Sequence, residues 1–189
     1  MTRQRILIIS SILAVVAVGL VWYLTRAIAK PIEEKARIQE VERQIIDRLK
    51  LIREAQVMHL DLKGVYANDF DELVNFIKQG KIYTINRKEI PITGDSSFFQ
   101  IDTLGTIPVR DSLLQGEYAD YDLKKLPYIP GKEEQVPFEI FVSIREALSG
   151  DTVYAIEVSD RPPLVNPRRE EPLKFGSREN ISTRGNWEF

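Results

Sequence analysis

The chain has 189 residues, with 26 Lys plus Arg against 28 Asp plus Glu, a single His and no Cys. That near balance leaves no long-range field to attract nucleic acid. The missing thiols exclude disulfides, thiolate metal sites and cysteine nucleophiles, and one His leaves too few ligands for a protein-only zinc site.

After a short N-terminal tail, residues 1–5, the run Ile6 to Leu24 (ILIISSILAVVAVGLVWYL) is apolar and uncharged. At ~1.5 Å per residue a helix of that length approaches the ~30 Å hydrocarbon core of a bilayer, so the run predicts a transmembrane helix over 6–24. Trp22, Tyr23 and Arg26 follow the pattern of membrane-interface anchors. A cleaved signal peptide is the competing reading, with Arg3 and Arg5 as its positive region, but its apolar core is usually about 7–15 residues. The expectation is a single pass through a cytoplasmic (inner) membrane, N-terminus inside and the remainder periplasmic. The lipid bilayer would then be one partner.

Residues 31–62 read as an amphipathic stalk helix. Pro31 suits a first helical turn, where its missing N–H costs nothing, or marks a kink. Ile38, Val41, Ile45, Leu49, Ile52 and Ala55 recur at three- and four-residue steps and form one face. The half from Ile45 onward fits packing against the chain's own sheet, whereas Ile38 and Val41 fit contact with a partner helix. Lys63-Gly64 ends the helix, with Gly64 as a left-handed cap. A second helix follows in DFDELVNFIKQ, capped by Asn68 or Asp69 and closed by Gly80. Asp69, Asp71 and Glu72 lie at its positive end.

The span, the helix carrying IREAQ (Ile52 to Gln56) and the stretch GVYANDFDELVNFI (Gly64 to Ile77) together resemble type IV pilins and pseudopilins over residues 6 to 80. The resemblance implies a membrane-derived helix, a short Gly-x-Tyr connection, a following helix and an antiparallel sheet laid on the first helix. No Glu lies within Ile6–Leu24 and no prepilin leader is seen, so processing and polymerisation are not implied. The ending LKFGSRENISTRGNWEF also resembles that of uncharacterised single-span envelope proteins of the Bacteroidota, which brings no activity with it.

The globular part is placed at residues 63–160. KIYTI (81–85) and SFFQID (97–102) alternate as strands, separated by a turn signal at Gly94-Asp95-Ser96. LKKLPYIP (123–130) is too Pro-rich for a central strand. FEIFVS (138–143) and TVYAIEV (152–158) read as a hairpin with a turn signal at Ser149-Gly150-Asp151. Residues 161–189 form an extended C-terminal segment, part of which docks through Leu173, Phe175 and Trp187, either on its own domain or on a partner. The fold class is thus α+β: a transmembrane helix, an amphipathic helix, a short helix and a small antiparallel β domain.

No motif names a reaction. His59 has only Asp61 nearby in sequence, on a different helical face, and the acidic cluster at 69–72 is explained by helix capping without a metal. No glycine-rich phosphate loop or Gly-x-Ser-x-Gly turn occurs, and Asn180-Ile181-Ser182 is a chance-prone glycosylation triplet. Tyr118, Tyr121 and Tyr128 form a candidate aromatic contact surface with Ile38, Val41 and Ile45. The sequence therefore predicts a non-enzymatic subunit of an envelope or filament-type assembly that needs no cofactor. Its partners would be membrane or envelope proteins or further copies of itself, and not nucleic acid. A tethered binding module, with a Tyr- and Phe-lined pocket near residues 98–128, is the second hypothesis.

Overall fold

The apolar positions at helical steps do form a helix, and it is longer than the stalk alone. In the computed structural model, helix α1 runs Arg3–Lys63 with Pro31 inside it. The structure describes residues 3–91, 97–131, 134–146, 152–161, 165–166 and 169–188, with backbone only at 3–8, 25–30, 84–91, 97–103, 117 and 145–146. The turn signals at Gly94-Asp95-Ser96 and Ser149-Gly150-Asp151 lie outside the described residues.

Among the described residues, no helix is long and apolar enough to cross a membrane. The described apolar side chains of α1 run from Ile9 to Leu24. From Glu33 onward the same helix is charged. The transmembrane helix over 6–24 is therefore corrected, and the single-pass inner-membrane placement falls with it. The anchor roles of Trp22, Tyr23 and Arg26 depended on that span; the Arg26 side chain lies outside the described residues. The fold is α+β with two small antiparallel sheets, not a membrane span carrying one small β domain.

The chain divides into two compact units, residues 1–43 and 44–189. The first unit is helical. Its polar part carries Glu34–Arg37 and Glu40–Arg43 pairs three residues apart, both exposed, so each contributes little.

In the second unit the α1 stripe is buried: Ile45, Leu49, Leu51, Ile52 and Ala55 are fully enclosed. The helix stops at Gly64, whose N–H donates to the Leu60 carbonyl at 2.7 Å with φ +79°. That left-handed geometry suits glycine because no Cβ opposes it. Helix α2 (Phe70–Gln79) is capped by Asp69, whose carboxylate accepts from the Glu72 N–H at 2.7 Å. Glu72 reaches back to accept from the Asn68 N–H at 2.9 Å. Its buried side is Leu73, Phe76 and Ile77.

Strands β1 (Lys81–Pro91) and β2 (Ser97–Pro108) pair antiparallel into a two-stranded ribbon. Both exceed the segments read from sequence. The register shifts between Thr84 and Ile85, where Leu104 is the extra residue, a bulge that increases local twist. The ribbon leads into short helix α3 (Val109–Leu113), with Val109 fully buried, and then into two 3-10 turns at Gly116–Tyr118 and Leu123–Lys125.

The second sheet has the order β3-β4-β5, from β3 (Glu139–Glu146), β4 (Thr152–Ser159) and β5 (Lys174–Gly176). Ile156, Val158 and Phe175 are buried side chains of this sheet. The C-terminal segment thus supplies a strand and a core residue. Asp160 holds its entry: its N–H donates to the Leu173 carbonyl at 3.0 Å, and its carboxylate accepts from the Leu173 N–H at 2.7 Å. At the far end Arg53 of α1 pairs with Glu188 at 2.6 Å.

Candidate interaction sites

The connection between α1 and α2 is fixed by two polar residues of the otherwise apolar stripe. Gln56, fully buried, accepts from the Ala67 N–H at 2.9 Å and donates to the Ala67 carbonyl at 3.0 Å. The amide side chain satisfies a backbone donor and acceptor that no helix or strand pairs. One turn further on, the His59 Nδ1 lies 2.6 Å from the Val65 carbonyl. An imidazole nitrogen facing a carbonyl oxygen must carry the proton, so Nδ1–H donates there. The ring stands edge-on to Phe76 at 4.8 Å, and Nε2 is 3.7 Å from the Glu72 carboxylate. The carboxylate facing His59 is therefore Glu72, brought in by α2, rather than its sequence neighbour Asp61.

Beside this pair an open groove of about 380 Å³ is lined by His59, Lys63, Glu72, Asn75, Phe76 and Gln79. It continues into a second hollow of about 260 Å³, where Leu62, Lys81 and Tyr83 join Lys63, Phe76 and Gln79. These walls hold no hydroxyl or thiol nucleophile beside the imidazole. A tyrosine is present, but at the far lip.

The three tyrosines read as a contact surface are half-buried. Tyr121 meets Tyr118 edge-on at 6.2 Å, and the Arg48 guanidinium lies 5.8 Å from the Tyr121 ring. Burial pushes the Tyr121 hydroxyl up from its ordinary range, against the opposing effect of Arg48. Arg48 also donates to the Tyr128 carbonyl. The structure thus brings Tyr121 and Tyr128 to one arginine of α1. The nearby hollow, about 420 Å³, is walled by Lys78, Arg110, Asp120, Asp122 and Lys124 around Tyr121 and Leu123. Five of its seven lining residues are charged, and the side chains of Phe98 and Phe99 lie outside the described residues.

Ile45 is fully buried in the second unit, whereas Ile38 and Val41, in the first, are half-buried. The most extensive apolar surface described lies elsewhere, on Ile9 to Leu24, where the large side chains are 52–73 % exposed. Positions 9, 12, 13, 15, 16, 18 and 20–24 point in every direction around the helix.

A salt-bridge cluster was not read from the sequence. Glu157 of β4, almost fully buried, accepts from Lys174 Nζ at 3.0 Å and Arg178 Nε at 2.7 Å. Arg178 also pairs with Glu139 at 3.1 Å and lies 4.7 Å from the Phe141 ring centre. Burial acts to raise the Glu157 carboxyl, but the hydrogen bonds from Arg178 and Lys174 outweigh it, and the net displacement is downward. Only the alternation of Glu157 within TVYAIEV hinted at this. Among the described residues, no group of His, Cys, Asp or Glu is arranged to hold a metal ion.

The chain matches no family model, no curated protein and no solved structure.

Proposed function

We propose that the protein is a non-enzymatic subunit of a multi-protein assembly, with the N-terminal part of α1 as the element buried by its neighbours. The observation that carries this reading is the uncovered run Ile9 to Leu24. A helix apolar on every side is a buried helix, and each large aliphatic side chain taken from water contributes about 1.5–3 kcal/mol. An exposed patch of this kind marks an interaction surface.

Light scattering on the purified full chain tests it. The wild type should run as a defined multimer, or as a stoichiometric complex with a co-purified protein. The pair Leu13→Glu and Val16→Glu should reduce it to a monomer while the circular dichroism of the second unit is kept. A wild type that stays monomeric at about 100 µM and carries no partner would overturn the reading.

A further inference from the structure

The groove beside His59 opens onto strand β1. Among the described residues β1 is hydrogen-bonded only to β2, and in an antiparallel strand alternate residues aim their N–H and C=O away from the partner. A two-stranded ribbon is marginal alone and gains from a third strand. The start of β1, Lys81 and Tyr83, forms one lip of the hollow that continues to Lys63 and His59. Tyr83 is 60 % exposed and Leu62 38 %. Lys81 and Tyr83, two apart, share one face of β1, and this hollow lies against that face.

Charge selects the occupant. Among the described residues, neither Lys63 nor Lys81 has a carboxylate partner, while Glu72 is occupied by the Asn68 N–H and faces His59. We propose that β1 and the His59–Lys63 groove form a docking site for an extended acidic segment of another protein. The segment adds as a third strand to β1, sets apolar side chains on Tyr83 and Leu62, and places carboxylates at Lys63 and Lys81. Main-chain hydrogen bonds would supply affinity, and the lysines and the groove would supply selectivity. The inference concerns the second unit and stands apart from the proposal for the N-terminal helix.

The test uses the full chain and four capped, fluorescently labelled octapeptides: one with Thr at every second position and Val and Glu taking turns at the others (Val–Glu), its Val–Lys counterpart, and the Val–Glu peptide N-methylated at alternate amides in each of the two phases, because residues on one face of a strand are two apart. Anisotropy should show the Val–Glu peptide binding at least tenfold more tightly than the Val–Lys peptide. N-methylation should abolish binding in at least one of its two phases, because it removes strand hydrogen bonds without touching the protein. The double variant Lys63→Glu, Lys81→Glu changes only exposed side chains and should reverse the preference. Equal binding of the Val–Glu and Val–Lys peptides, or full binding of both N-methylated forms, would overturn the proposal. So would competition by free glutamate at the same concentration as peptide, which would indicate a simple anion site.

Discussion

Gln56 shows how one side chain can decide the path of a connection. It presents an amide to Ala67 as a neighbouring strand would, and both Ala67 groups are buried with it. Gln56→Leu keeps the volume but leaves that N–H and carbonyl unsatisfied, at about 1–3 kcal/mol each. A loss of about 2–4 kcal/mol in urea unfolding is expected, with the α1–α2 turn exchanging its amides first. Glu157 makes a second prediction, and its sign follows from the downward displacement. Its ordinary carboxyl value is 4.5, so its stabilising contribution is complete above that pH and is lost as pH falls through the lower folded value. Glu157→Gln should cost about 2 kcal/mol near neutral pH. The gap between wild type and variant should close on acidification below pH 4.5, as read by paired denaturation curves.

At the scale of elements, β5 rests on Gly176. Its φ is +81°, and a Cβ there would sit 1.9 Å from the Ile156 carbonyl oxygen. Backbone strain of this kind costs about 1–3 kcal/mol, and the contact with main chain adds to it. Gly176→Ala should release β5 and Phe175 from the sheet, lowering the melting temperature and exposing the tail to limited proteolysis. Elements with local punctuation were legible from sequence: α2 between Asp69 and Gly80, and the end of α1 at Gly64. The ribbon was read too short because Pro91, Gly105 and Pro108 look like breaks. Two of these sit at strand ends, and Gly105 pairs with Thr84 beside the bulge, where a two-stranded ribbon tolerates it. The docking of Leu173 and Phe175 was expected, but Asp160 as its holder was not, because that contact spans residues with no local pattern between them.

For the whole molecule, the N-terminal run is where sequence and structure part. Hydropathy shows that a stretch avoids water, but not what it enters. Protein neighbours impose no fixed thickness. If they cover Ile9 to Leu24, apparent stability will rise with protein concentration, because association favours the folded state by mass action. Calorimetric scans over a hundredfold concentration range should show the melting temperature climbing for the wild type and constant for the Leu13→Glu, Val16→Glu variant. The candidate groove was not legible in advance, since it joins residues from α1, α2 and β1 that only the turn held by Gln56 brings together.

The pairing of Arg53 with Glu188, and the enclosure of Phe175, carry a consequence for how the chain is made. Arg53, on the first helix, is made 135 residues before the carboxylate it pairs with. Until that later stretch emerges, this flank of the helix waits for its partner, and nascent chains are the form most in need of a chaperone.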